Sequence, residues 1–250
     1  MNSQEYMLAR VNSILLSKER KQSIMKHMTE ENISNLKKLY NIHKGKRCFI
    51  LGCAPSLNQL DLAKLNTEYT FTVNKGYKLR DLGLVHSNYH LIMDRELLND
   101  NGVLAELPTN FSDLFFLNAE LDYEKENWNK LYVEILNSNM IKFQEDITKP
   151  LMTTATVISQ AIQIAYYMGF SDIYLLGVDL DFSKNSGHVY TSSFEEKERE
   201  KTLSIKGEKV MLDGLNNITK FLTSKGINIY NASPAGVLDC MPRVKYETLF

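Results

Sequence analysis

Arg47-Cys48-Phe49-Ile50-Leu51-Gly52-Cys53-Ala54-Pro55-Ser56-Leu57 is an apolar strand that breaks at Gly52 into small residues. From Asn58 onward the pattern predicts a helix. A strand that ends in a small-residue turn and feeds a helix is a phosphate-holding corner of an α/β sheet. Missing side chains let backbone approach a ligand, and a helix start offers free N–H groups and partial positive charge.

Downstream, strands and helices alternate. Tyr69–Asn74, Tyr89–Asp94 and Asp113–Leu117 read as strands, rich in β-branched and aromatic residues. Within residues 119–149, Val133–Leu136 and Met140–Phe143 are either short strands or a poorly marked helix. Thr153–Met168 reads as a helix closed by Gly169. Asp172–Val178 is an apolar strand of the kind buried in a parallel sheet. Residues 180–204 are polar and aperiodic, in the manner of a lid. A helix over about 205–224 and a strand Ile227–Asn231 follow. The expected fold is therefore a doubly wound, mostly parallel, Rossmann-like sheet spanning residues 45–250.

Upstream, residues 3–17 and 19–40 carry apolar residues at helical spacing, the second run interrupted near Thr29. Residues 1–47 hold ten Lys/Arg against four Glu, and the remainder 19 against 26 Asp/Glu. Residues 1–44 are thus expected to form a basic amphipathic helical extension. It could cover the domain, pack on a twin subunit, or lie on an anionic membrane surface. The net charge of −1 gives no support to nucleic-acid binding. Three cysteines without metal spacing, and no apolar run of roughly 18 residues, make a cytoplasmic protein the expectation.

In parallel sheets ligands sit beyond the carboxyl ends of the strands. Those ends present Gly52 to Ser56, Asn74, Asp94 with Arg95, the Thr153-Thr154-Ala155-Thr156 helix start, Asp179 with Asp181, and Asn231 with Ser233. Hydroxyls and backbone N–H groups suit phosphate, and Asn and Asp suit ribose and base edges. The turn is neither Gly-x-Gly-x-x-Gly nor a P-loop, which disfavours an ordinary dehydrogenase or NTPase. His188, in a loop of small polar residues, is a candidate general base or a solvated loop residue. Asp179 and Asp181 can hold magnesium through phosphate, or simply start a loop. His27 and His43 read as solvated, His86 and His90 as structural, and Trp128, Tyr123 and Tyr132 as packing.

Cys48-Phe49-Ile50-Leu51-Gly52-Cys53-Ala54-Pro55-Ser56-Leu57 resembles the Gly-x-Gly-Pro-Ser-Leu opening of two related groups. These are the bacterial sialyltransferases of glycosyltransferase family 42 and the hydroxymethylpterin diphosphokinase-like domain, found also in flagellin-modifying motility accessory factors. Thr72-Val73-Asn74 looks like their second-strand Asn. Ala165 to Asp179 is similar to their Ala-x-x-x-Gly-x-x-x-Ile-Tyr-Leu-x-Gly-x-Asp signature. Ile229 to Pro234, with Leu238, Pro242 and Arg243, looks like the close of the diphosphokinase-like domain. The resemblance spans roughly residues 45–245.

The resemblance implies a GT-A-like sialyltransferase variant of the fold and a nucleotide-sugar site. Gly52, Cys53, Ala54, Pro55, Ser56 and Asn74 would line the nucleotide, with Asp94 where the family has a second Asn. Thr154 and Thr156 would hold the phosphate or sugar carboxylate. The family's Arg ahead of that segment is missing; only Lys149 stands there. His188, or failing it Asp179, would be the base, with Tyr190 beside it. The implied activity is inverting transfer of sialic acid, or a related nonulosonic acid, from a CMP-sugar to a glycan or glycolipid acceptor. No cofactor is required, magnesium being optional, and the basic extension would place the enzyme peripherally at the inner membrane. The alternatives are a magnesium-dependent diphosphokinase of the hydroxymethylpterin type and a non-catalytic nucleotide-sugar-binding subunit.

Overall fold

The computed structural model describes residues 18–94, 106–121, 127–136, 142–181, 187–192 and 206–250. The expected helix over 3–17, Arg95, Tyr123, and most of the segment 180–204 lie outside them. Strands β1 (Arg47–Leu51), β2 (Thr70–Val73), β3 (Ser87–Ile92), β4 (Ser112–Asn118), β5 (Lys130–Val133), β8 (Asp172–Leu176) and β9 (Asn228–Asn231) form one sheet. A two-stranded side sheet is made by β6 (Ile135–Leu136) and β7 (Leu151–Met152). The helices are α1 (Lys18–His27), α2 (Glu30–Lys38), α3 (Ile158–Tyr167) and α4 (Lys206–Ser224).

The large sheet runs β5-β4-β3-β2-β1-β8-β9, and each pairing is parallel. The central β1 pairs β2 on one side and β8 on the other, so the chain winds outward in both directions from it. Strand periodicity sorts its residues between two cores. Cys48 and Ile50 pack in the layer with Ile158, Ala161, Ile162 and Ala165 of α3 and Leu215, Ile218 and Leu222 of α4. Phe49 and Leu51 pack in the opposite layer with Leu57, Leu62, Leu65 and Tyr246. Burial on both faces explains why this strand is continuously apolar.

Three local expectations change. The helix predicted from Asn58 is instead two short 3-10 segments, Pro55–Gln59 and Leu62–Thr67. Asp61 breaks the path: its carboxylate accepts from the Ala63 N–H at 3.2 Å and starts the second segment. Helix α3 begins at Ile158 rather than Thr153, because Ala155 holds a left-handed φ of 59°. Of Met140–Phe143, residues 140 and 141 lie outside the described residues, and 142 and 143 are in neither strand nor helix. Gly169, at φ 88°, does close α3, and its carbonyl accepts from the Gly45 N–H.

The described part of the basic stretch packs on the sheet. Thr29 interrupts it by capping α2, accepting from the Asn32 N–H at 3.1 Å. The Asn32 amide then accepts from the Tyr132 N–H and donates to the Tyr132 carbonyl, each at 2.9 Å, which occupies the free side of edge strand β5. His27 is buried against Tyr132, ring centroids 4.0 Å apart, and its Nδ1 meets the Ala119 carbonyl oxygen. His43 stacks on Phe170 and bonds the Tyr89 hydroxyl. The solvated reading of both histidines is therefore corrected: their aromatic partners are distant in sequence. His90 is structural as expected, enclosed by Phe111 and Phe115. Trp128 packs on Phe115.

Candidate functional site

The site is built where β1 and β8 end side by side. The Gly52 N–H donates to the Leu176 carbonyl, and the Ala54 N–H to the Gly177 carbonyl. A Cβ on Gly52 would stand 2.3 Å from the Gly177 oxygen, and one on Gly177 would meet the Leu57 side chain at 2.6 Å. Gly177 also holds φ 61°. Only glycines allow this crossing of two backbones.

Beyond the crossing, Asp179 faces Ser56. One carboxylate oxygen accepts from the Ser56 hydroxyl at 2.6 Å, the other from the Ser56 N–H at 3.2 Å. Both residues are buried. In this arrangement Asp179 braces the turn, and the donors of Ser56 point at a carboxylate of the protein itself. The Asp179 carbonyl accepts from the Val237 N–H, and Gly236 lies against its backbone. That 233–238 loop is held by Arg243, whose guanidinium donates to the carbonyls of Ser233, Ala235, Gly236 and Leu238. Asn231 and Ser233, read as ligand candidates at a strand end, are engaged in this wall: Asn231 bonds the Ser233 N–H and the Leu238 carbonyl, and the Ser233 hydroxyl accepts from the Val178 N–H.

The segment 187–192 sits over the turn, since the Val189 N–H donates to the Cys53 carbonyl at 2.9 Å. It carries His188, whose ring lies parallel to that of Tyr190 with centroids 4.7 Å apart. The Nδ1 of His188 meets the Ser192 hydroxyl at 3.1 Å. The Nζ of Lys75 lies 5.6 Å from the Tyr190 ring centroid. Thus the turn, His188 and Tyr190 are brought together.

Asn74 holds φ 49° at the end of β2, and its Oδ1 accepts from the Met93 N–H, which ties β2 to β3. Asp94 follows directly, half-buried. At the start of α3, Thr156 accepts from the Ile158 N–H, and the buried Thr154 packs against Gly214 with its hydroxyl unpartnered. Asn74, Ala155 and Leu180 are non-glycine residues with left-handed φ, and all three stand at this end of the sheet. Such backbone cost concentrates where a structure holds a site. Lys149 is exposed and paired with Asp146. Sequence reasoning missed Lys75 and Ser192; the strand-end rule that singled out Asn74 reaches Lys75 one residue later.

Among the described residues, no group of three or more His, Cys, Asp or Glu side chains converges as a metal site, and no helix is long and apolar enough to cross a membrane. Residues 22–185, from α1 through the crossing to the start of the 180–204 segment, match the family described as 6-hydroxymethylpterin diphosphokinase MptE-like. The chain belongs to the MptE-like family. The match includes the Gly52 turn and the Ser56–Asp179 brace and excludes His188 and Tyr190. Among solved structures, the MAf glycosyltransferase from Magnetospirillum magneticum AMB-1 shares the MptE-like chain's fold, with a TM-score of 0.54 at 16% identity. That similarity covers 90% of this chain and 39% of the glycosyltransferase chain. No curated protein matches the sequence.

Proposed function

We propose that this MptE-like chain is an inverting glycosyltransferase that takes a sialic or related nonulosonic acid from a CMP-sugar and passes it to a bacterial surface glycan. The observation that carries this reading is the seating of His188 over the β1 turn, through the Val189–Cys53 bond and the Tyr190 stack. A histidine over a nucleotide crevice is a suitable base for an acceptor hydroxyl. The fold shared with the MAf glycosyltransferase is compatible with it.

In the proposed reaction His188 Nε2 takes the proton from the acceptor hydroxyl, Nδ1 being held by Ser192. The acceptor oxygen bonds the anomeric carbon, and the bond from that carbon to the phosphate oxygen breaks. The electron pair leaves with CMP, and N–H donors at the start of α3 meet its charge. Asp179 braces the turn in this scheme and is not the base. Residues 1–44 would bring the enzyme to the inner membrane surface or to a twin subunit.

The family description favours a second reading, transfer of diphosphate from ATP to a pterin alcohol. There Asp179 and Asp181 would be the magnesium ligands, Asp179 being engaged by Ser56 in this structure. The test is product analysis. Metal-independent release of CMP from a CMP-nonulosonate, lost in His188→Ala, supports the first reading. Magnesium-dependent AMP release from ATP supports the second. Nucleotide binding without turnover, unchanged in His188→Ala, indicates a binding subunit.

A further inference from the structure

We propose that residues 37–46, from the last turn of α2 to the start of β1, are a docking surface for an anionic phospholipid bilayer. The proposal chooses between the two partners given above for residues 1–44 and does not rest on the transfer reading.

Two side chains root this loop. Leu39 packs against the core under α3, and the His43 ring stacks on Phe170, centroids 4.7 Å apart, and bonds the Tyr89 hydroxyl. The backbone is fixed as well. The N–H groups of Asn41, His43 and Gly45 donate to the carbonyls of Tyr167, Met168 and Gly169, at 3.0, 2.8 and 3.1 Å. Asn41 and Gly45 turn the chain through left-handed φ values of 57° and 75°. The loop is thus held along the end of α3 and presents one fixed outer face.

That face is apolar and basic together. Tyr40 is 62% exposed and Ile42 47%. Lys37, Lys38, Lys44 and Lys46 are exposed around them. Among the described residues no carboxylate pairs with these four lysines; Lys38 donates to the Asn35 side chain. Acids at this end of the sheet are engaged elsewhere: Glu68 with Arg47, Asp172 with Ser171 and Asn228, Glu145 with Lys225. Glu30 and Glu31 stand in the first turn of α2, about 12 Å along its axis from Lys38.

Charge and shape choose the occupant. A nucleic acid would meet the lysines but give Ile42 no apolar contact. A second copy of this chain, docked face to face about a two-fold axis, would set the same lysines against each other. A bilayer with anionic headgroups satisfies both kinds of side chain. The lysines meet its phosphates, while Ile42 and the Tyr40 ring enter the headgroup layer, where amphipathic aromatic rings are favoured. The patch precedes β1 and the crevice follows it. The five residues of that strand set them about 17 Å apart, so a chain seated here keeps its crevice open.

The test is co-sedimentation of the full chain with vesicles of phosphatidylcholine, alone or mixed with phosphatidylglycerol, and no nucleotide present. Wild type should bind the mixed vesicles and not the neutral ones, and salt should weaken binding. Each lysine near an anionic surface is worth about fivefold, so Lys44→Gln/Lys46→Gln should bind about twentyfold more weakly. Ile42→Ser should lose about tenfold. Both variants should melt as wild type does, since these side chains are exposed. Lys209→Gln/Lys245→Gln removes the same charge from exposed positions in α4 and beyond β9, and should bind as wild type does. A wild type that binds no vesicles, or both kinds equally, would overturn the proposal. So would equal loss in the Lys209/Lys245 pair, or retained binding in Lys44→Gln/Lys46→Gln. Unchanged binding in Ile42→Ser would reduce the patch to a polyanion contact, and self-association lost in Ile42→Ser would assign it to a twin subunit; either would overturn the bilayer. None of these results bears on CMP turnover, which is measured separately.

Discussion

Removing the Asp179 carboxylate tests how the turn is held. Asp179 accepts two hydrogen bonds from Ser56, at 2.6 and 3.2 Å, and the two residues are 7% and 3% exposed. A hydrogen bond to a charged group contributes about 1.5–3 kcal/mol, and a buried donor left without a partner costs a similar amount. Asp179→Ala strands both Ser56 donors, so a loss of about 3–5 kcal/mol is expected. Asp179→Asn keeps one good acceptor and should lose about 1.5–3 kcal/mol. Ser56→Ala keeps the backbone bond and should fall in the same lower range. In Ser56→Ala/Asp179→Ala the effects should not add, with a coupling of about 1–3 kcal/mol. The assay is urea unfolding of wild type and the four variants, read from midpoints at unchanged slope. Single losses below about 0.5 kcal/mol, or additivity within about that amount, would refute the brace.

Two further perturbations follow from the same geometry. Gly52→Ala forces a Cβ to within 2.3 Å of the Gly177 carbonyl oxygen, so melting should report a loss of about 1–3 kcal/mol. Gly187→Ala meets open space and should stay within about 0.5 kcal/mol of wild type; equal effects would contradict the crossing. Burial lowers the pKa of His90 from 6.5 to about 3. Below pH 6.5 the unfolded chain takes a proton that the folded chain refuses, so this residue's contribution falls by about 1.4 kcal/mol per pH unit, down to about pH 3. Burial raises the carboxyls of Glu120 and Glu134, which gives a slope of opposite sign just above the carboxylate range. The difference between wild type and His90→Gln isolates the histidine, and denaturant titrations from pH 7 to 5 should show the variant losing less stability.

The sheet was legible because parallel strands buried on both faces write themselves as apolar runs. Cys48–Leu51 and Ile173–Leu176 are such runs, and each ends in a glycine that the crossing requires. The helix expected after the turn failed because local pattern competes with tertiary bonds. Asp61 diverts the backbone, and Asp179, 123 residues away, takes up the Ser56 N–H. His27 and His43 were misread for a related cause: a basic local sequence hides partners such as Tyr132 and Phe170 that only the fold supplies. Asn32 likewise gave no sign that its amide would serve an edge strand. Around the candidate site, the strand-end rule reached Gly52, Ser56, Asn74 and Asp179. It could not tell which of them the protein uses on itself. Asn231 and Ser233 hold the wall, and Ser56 holds Asp179.

The most direct test of the account is calorimetric titration of the purified chain with CMP, in the presence of a chelator, beside ATP with magnesium. CMP should bind saturably and with the same affinity whether or not the chelator is present. Saturation only by ATP with magnesium, with no heat from CMP, would contradict it.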